Sequence, residues 1–263
     1  MRLAAPQMFK AVETDDEALA MGFVWIGFAA FFCVSLAVGI RLLALAARTK
    51  RAPELLIGLG VLGIGPIGFG LQTLAGVADA PSLAEGLAAA SAVAVAIGLW
   101  AKLVFNWSVY RRDSGVALAG AWLLALAVAA HLLVQPLLGS FLEATQSVRL
   151  NGTRGALQAL TLGWGAAEAF RYWRLLRRRA RLGLAEPELA NRFLLWTLSA
   201  GAAGLGTAIG VAASLATGKL PLAMPEVLVS SSAHGSVAAL GMWLAFAPPR
   251  TYLRWLAGSR ARA

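Results

Sequence analysis

Residues 115–138 read GVALAGAWLLALAVAAHLLVQPLL, a run without a single Asp, Glu, Lys or Arg. A helix of about 20 residues, rising ~1.5 Å at each, crosses the ~30 Å hydrocarbon core of a bilayer, and this run is long enough to do so. Outward from it the sequence holds further stretches of the same kind, at roughly 21–47, 54–77, 83–110, 154–175, 193–216 and 227–247. The expectation is an all-α, polytopic membrane protein, a seven-transmembrane-helix bundle over 21–247. An extracytoplasmic segment over 1–20 precedes it, and a cytoplasmic interfacial tail over 248–263 follows.

Composition agrees. Of 263 residues 59% are hydrophobic and only 14% charged, with a mean hydropathy of +0.70. A water-soluble fold of this length could not hide so many apolar runs, so the bilayer is the first partner. The net charge of +10 sits in the loops between apolar runs, where lipid head groups or a soluble protein are the counter-charges, and nucleic acid is not expected. Cys33 is the single cysteine, which rules out an intrachain disulfide and a thiolate metal cluster. The basic residues are mostly Arg, and with the Ala, Leu and Gly richness this suggests a GC-rich bacterial genome and an inner-membrane location. Glu13, Asp15, Asp16 and Glu17 stand where a cleavable leader would be apolar, so the first span is expected to be retained.

Charge also assigns the sides. Arg48, Lys50 and Arg51 follow the first span, and Arg111 and Arg112 the third. Arg171, Arg174, Arg177, Arg178, Arg179, Arg181 and Arg192 join the fifth to the sixth, and Arg250, Arg254, Arg260 and Arg262 follow the seventh. The opposite loops hold Arg149, Arg154 and Lys219 with the acids Asp79, Glu85, Glu143 and Glu226. Lys and Arg are retained in the cytoplasm, which puts the N-terminus outside and the C-terminus inside. Asn151-Gly-Thr153 matches a glycosylation sequon in an outer loop, where a chance match is expected in a bacterial protein.

Internal echoes suggest duplication. Ala-Pro-Glu-Leu at 52–55 leads into the second span, and Glu-Pro-Glu-Leu at 186–189 into the sixth. Pro81 and Pro225 precede the third and seventh spans, and Trp100 and Tyr110 are answered by Trp243 and Tyr252. Spans 1–3 and 5–7 then read as parallel triple-helix repeats, with the fourth as connector. Gly58-Leu-Gly60-Val-Leu-Gly63 formally matches a dinucleotide fingerprint. It lies inside an apolar helix without the strand that motif requires, so close helix packing and a kink at Pro66 are expected instead of a cofactor.

Ionisable groups at membrane depth are functional candidates. Glu168 is the foremost, as a switchable carboxylate or a pin paired to Arg171, Lys102 or Arg41. His131 and His234, the only histidines, lie roughly 10–12 Å deep by helical rise. With Gln72, Gln158, Ser231 and Trp164 they form an outer-half polar layer suited to a small ligand. Haem between the histidines is not expected, because the fourth and seventh helices should not be neighbours. No cofactor and no metal are expected. After Pro248 and Pro249, Tyr252, Leu253, Trp255 and Leu256 alternate with Arg250 and Arg254, which suits an interfacial helix serving as lipid anchor or docking element.

Glu168-Ala-Phe-Arg171-Tyr172 resembles the acidic–Arg–Tyr element of heptahelical receptors, and Pro249-Arg-Thr-Tyr252 their Pro-x-x-Tyr. The resemblance implies a ligand site within the bundle and coupling to a cytoplasmic protein partner through basic inner loops. A retinal protein would need a lysine in the seventh span; Lys219 lies before it. The triplets resemble three-plus-one-plus-three transporters, which implies small-solute transport, although Gln135-Pro136 reverses their Pro-Gln signature. Pro53-Glu-Leu-Leu and Asn191-Arg-Phe-Leu-Leu-Trp196 resemble uncharacterised bacterial seven-helix proteins. No metalloprotease, hydrolase-elbow or paired-aspartate motif is present, so an enzyme is not expected. The leading expectation is a receptor-like protein, and the alternative is a small-solute transporter. A tag fused behind Ala263 should resist impermeant reagents on intact cells, and reactivity there would reverse the assigned sidedness.

Overall fold

A computed structural model describes residues 15–252 together with 254 and 255. The rest of the expected N-terminal segment and tail, 1–14, 253 and 256–263, lies outside the described residues. The described residues form helices and no strand: α1 (Asp15–Thr49), α2 (Ala52–Leu62), α3 (Gly68–Val77), α4 (Pro81–Phe105), α5 (Gly115–Leu137), α6 (Phe141–Gln146), α7 (Val148–Arg181), α8 (Pro187–Thr217) and α9 (Pro225–Phe246). Their starts are encoded locally. Pro53, Pro81, Pro187 and Pro225 stand in the first turns of α2, α4, α8 and α9, where a missing N–H costs no bond. Ser114, Ser140 and Ser147 cap α5, α6 and α7 by accepting from the N–H three residues on. Gly218 ends α8 in the left-handed conformation, at φ 68°.

Each expected apolar stretch is helical. Six have both the length and the apolarity to cross a membrane: Leu19–Thr49, Ala52–Val77, Pro81–Tyr110, Gly115–Leu137, Pro187–Thr217 and Pro225–Phe246. The chain is therefore a multi-pass helical membrane protein in contact with the bilayer. The remaining stretch lies within α7, which is long enough at 34 residues but carries Arg154, Glu168 and Arg171. The short α6 was not anticipated. Glu85, reaching from α4, accepts the N–H groups of Phe141 and Leu142 at 2.8 and 3.0 Å and satisfies its first turn.

The second span is broken as Pro66 requires. A π-helical turn, Gly63–Ile67, joins α2 to α3, and Gly65 leaves the helical region at φ −87°, ψ −109°. Around that kink the glycines admit close neighbours. A Cβ on Gly58 would come within 2.8 Å of Leu43, one on Gly60 within 2.7 Å of the Lys102 stem, and one on Gly63 within 2.9 Å of Gly98. The fingerprint-like spacing is a packing seam.

The helices close a ring: α1 packs on α2, α2 and α3 on α4, α4 on α7, α7 on α8, α8 on α9, and α9 back on α1. α5 stands outside it, against α4 and α7. Its outer face, Trp122, Leu123, Leu126 and Leu133, is exposed, as expected for lipid contact. Two side-chain hydrogen bonds close the ring, one past the end of α4 and one near the start of α9. Asn106, beyond the end of α4, donates to the Thr161 carbonyl on α7 at 3.2 Å. Ser232 on α9 donates to the Val24 carbonyl on α1 at 2.8 Å. The seams within the triplets correspond. Gly98 lies two residues before Trp100 and meets Ile64, eleven residues beyond Pro53; Gly241 lies two before Trp243 and meets Ser199, twelve beyond Pro187.

Gly98→Leu must drive a side chain into the Ile64 backbone, 2.8 Å from its Cβ. It should destabilise the detergent-solubilised protein by ~1–3 kcal/mol, as overpacking does. Gly86→Ala, with open space around it, should leave the melting temperature unchanged. Thermal unfolding followed by circular dichroism checks both.

Candidate functional site

Lys102, Asn106 and Tyr110 recur every four residues near the Arg-rich end of α4, one above the other on a helix face. The last two lie in a π-helical turn, Asn106–Tyr110, a geometry that often marks functional positions. Opposite them α7 presents Gly165, Ala166, Glu168 and Ala169, all buried. The small residues bring the backbones together: a Cβ on Gly165 would stand 3.0 Å from Asn106 Oδ1. Asn106 is wholly buried, and Oδ1 has no hydrogen-bond partner.

The two buried charges do not pair with each other. Glu168, 6% exposed, receives Arg111 Nε at 2.9 Å and Arg171 at 3.3 Å. Arg111 comes from the α4–α5 connection and Arg171 from the next turn of α7. Lys102, 3% exposed, lays its ammonium over the Trp196 ring, 4.2 Å from the centroid, and 5.7 Å from that of Phe105. Attraction to the electron-rich faces replaces a counter-ion. Its stem fills the space left by Gly60. Arg41 is exposed. Of the three cations expected beside Glu168, Arg171 is the one that meets it.

An aromatic cluster seals the region. Tyr110 packs edge-on to Phe105 at 5.5 Å and lies 5.2 Å from Tyr172, which stacks on Phe193. Trp196 meets Phe246 edge-on at 5.1 Å. Beyond α9, Tyr252 receives a hydrogen bond from Asn191 at 2.6 Å and stacks on Trp255.

Between α5 and α7 lies a groove of about 530 Å³. Leu124, Val116 and Ala117 from α5 form one wall, Leu160 and Trp164 from α7 the other, and Arg111, Ser114 and Glu168 the polar end. Leu160, Trp164 and Glu168 are four residues apart, hence one stripe of α7. Apolar walls with polar groups gathered at one end suit a small-molecule site.

Of the outer-half layer, Trp164 lines this groove. Gln158 reaches Thr207 on α8 at 3.5 Å. His234 contacts the Ser230 carbonyl on its own helix at 2.7 Å and packs on Gly206. His131 and Gln72 are half-buried on α5 and α3, and Ser231 is exposed on α9. The histidines stand on helices that do not pack together: α5 lies against α4 and α7, α9 against α1 and α8. The sequence did not single out Arg111 or Trp196. Arg111 was legible as the first cation after the third span; the Lys102–Trp196 contact, between distant segments, was not.

Comparison with family models, curated proteins and solved structures finds no match to this chain.

A buried cation without a carboxylate contributes little to stability, and apolar replacement of buried charges is often neutral or stabilising by ~1–4 kcal/mol. Lys102→Met should therefore hold or raise the melting temperature, while Glu168→Ala, which removes the shared partner of Arg111 and Arg171 and opens a cavity at a buried position, should lower it. A fall for Lys102→Met would mean that the aromatic contact carries net stability.

Proposed function

We propose that the chain is a seven-span, receptor-like protein of the bacterial inner membrane, with its N-terminus outside and its C-terminus inside. In this reading it binds a small ligand in the α5–α7 groove and signals to a cytoplasmic protein partner through its basic inner loops. The observation that carries the reading is the position of Glu168. Its buried carboxylate is shared between Arg111, at the groove, and Arg171, at the root of the Arg-rich end of α7.

A ligand acceptor at Arg111 competes with Glu168 for the guanidinium. The carboxylate then leans on Arg171, and the turn carrying Arg174, Arg177 and Arg178 is rebalanced. Binding shifts such an equilibrium only through different contacts in the two states, and the exchange at Arg111 supplies the difference. The seventh crossing is assigned to α7, where Glu168 is buried and paired with Arg111 and Arg171. The outer-half residues His131, His234, Gln72, Gln158 and Ser231 are left out of the ligand contact, since they are spread over α3, α5, α7 and α9.

A transporter is the second reading. It is favoured by the two corresponding glycine seams, Gly98 on Ile64 and Gly241 on Ser199. Both fit two parallel triplets rocking about one axis.

A Cys33→Ser background with a single cysteine at Arg179→Cys tests the first reading. Glu168→Gln, which weakens the hold on both arginines, should change the labelling rate at that cysteine by about fivefold, the lower end of allosteric coupling. An unchanged rate removes Glu168 as the coupling group. Saturable solute uptake into proteoliposomes, lost in Glu168→Gln, would put the transporter in its place.

A further inference from the structure

The chemistry of the groove specifies its ligand more narrowly, and we infer that the occupant is an anionic phospholipid, its phosphate at Arg111 and one acyl chain along Leu124, Leu160 and Trp164. The inference rests on the α5–α7 groove being the ligand site.

Shape is the first argument. The groove is long and apolar, with its polar groups at one end, the plan of an amphiphile. Val116 and Leu160 in its walls are exposed, so a membrane component enters sideways without crossing water. Of α5 only Ala121, Val128 and Gln135 are buried, and an acyl chain supplies packing to the rest of the face that lines the groove.

Charge is the second. Arg111 gives Nε to Glu168; its remaining N–H groups receive the phosphate first, which then draws the guanidinium away from the carboxylate, and its side chain is 36% exposed. The first turn of α5 opens onto the same end. Ser114 caps the N–H of Ala117, so the amides of Gly115 and Val116 stay free and the positive end of the helix dipole faces the head group. Arg171, held on Glu168 at 3.3 Å, adds a second cation at this end. A phosphate fits this field. A choline ammonium is repelled by it, so the site discriminates between anionic and zwitterionic lipids.

Trp164 reports occupancy. The full-length chain is reconstituted in phosphatidylcholine nanodiscs with a small fraction of brominated-chain phosphatidylglycerol or brominated-chain phosphatidylcholine. Quenching of Trp164 is isolated from the other tryptophans by subtracting the Trp164→Phe signal. The anionic lipid should quench at about fivefold lower mole fraction, the preference expected of one interfacial cation. Arg111→Gln should abolish the preference and Arg111→Lys retain it; the Lys variant also serves if the Gln variant does not fold. Equal quenching by the two lipids, or a preference that survives Arg111→Gln, overturns the inference. Leu124→Trp, which fills the groove, separates the two failures. If lipid preference is absent but Leu124→Trp still alters labelling at Arg179→Cys, the groove couples and another ligand occupies it. If neither responds, the ligand-site reading falls as well.

Discussion

Water is scarce at membrane depth, and a polar group placed there gains most from a partner within the protein. Lipid tails are as apolar as leucine, so there is no hydrophobic drive to bring one span against another. The helices associate where backbones approach closely or where a buried polar side chain has a single place to bond. Both devices recur at the same seams. Gly63 and Gly98 let α4 settle onto the kinked second span, and Ser91 closes that seam by donating to the Gly68 carbonyl at 2.6 Å. Gly241 rests on the Leu195–Ser199 turn of α8, and Ser199 donates to the Ala238 carbonyl at 2.9 Å.

The same constraint explains the outlying position of α5. Its sequence offers lipid an apolar surface nearly all round, and it carries few groups that demand a protein partner. Trp100 of α4 donates to the Ala125 carbonyl, and Val128 joins the small core beneath. With so little to fix it, α5 leaves a gap beside α7, and that gap is the groove. A loosely held helix between two firmly packed ones is also the element most easily moved by what fills the space.

The helices were legible because a bilayer imposes a length and a polarity on each, and the observed ends fall within a few residues of those expected. The kink at Pro66 and the packing role of Gly58, Gly60 and Gly63 were legible for the same local reasons. Pairings across the ring were not. The depth of Glu168, Lys102 and Asn106 could be counted along each helix, but which neighbour each meets depends on how the helices are turned against one another. The π-helical turn at Asn106–Tyr110, which has no simple sequence mark, re-aims the end of α4 and Arg111. α6 escaped notice because its stabilising partner, Glu85, lies on another helix.

The separation of Glu168 from Lys102 gives the site its asymmetry. Had they paired, two buried opposite charges would have locked together in a medium where rupture costs several kcal/mol, and neither could respond to a ligand. Lys102 is held instead by the faces of Trp196 and Phe105, deep between α4 and α8. Glu168 is held by Arg111 and Arg171, both of which reach solvent or head groups. Exchange of a partner at such a rim costs less than extraction of a charge from the interior, because an incoming acceptor replaces the lost bond as it breaks. The carboxylate buried in α7 is therefore the charge in this pair that can change partners, and the lysine is the one that cannot.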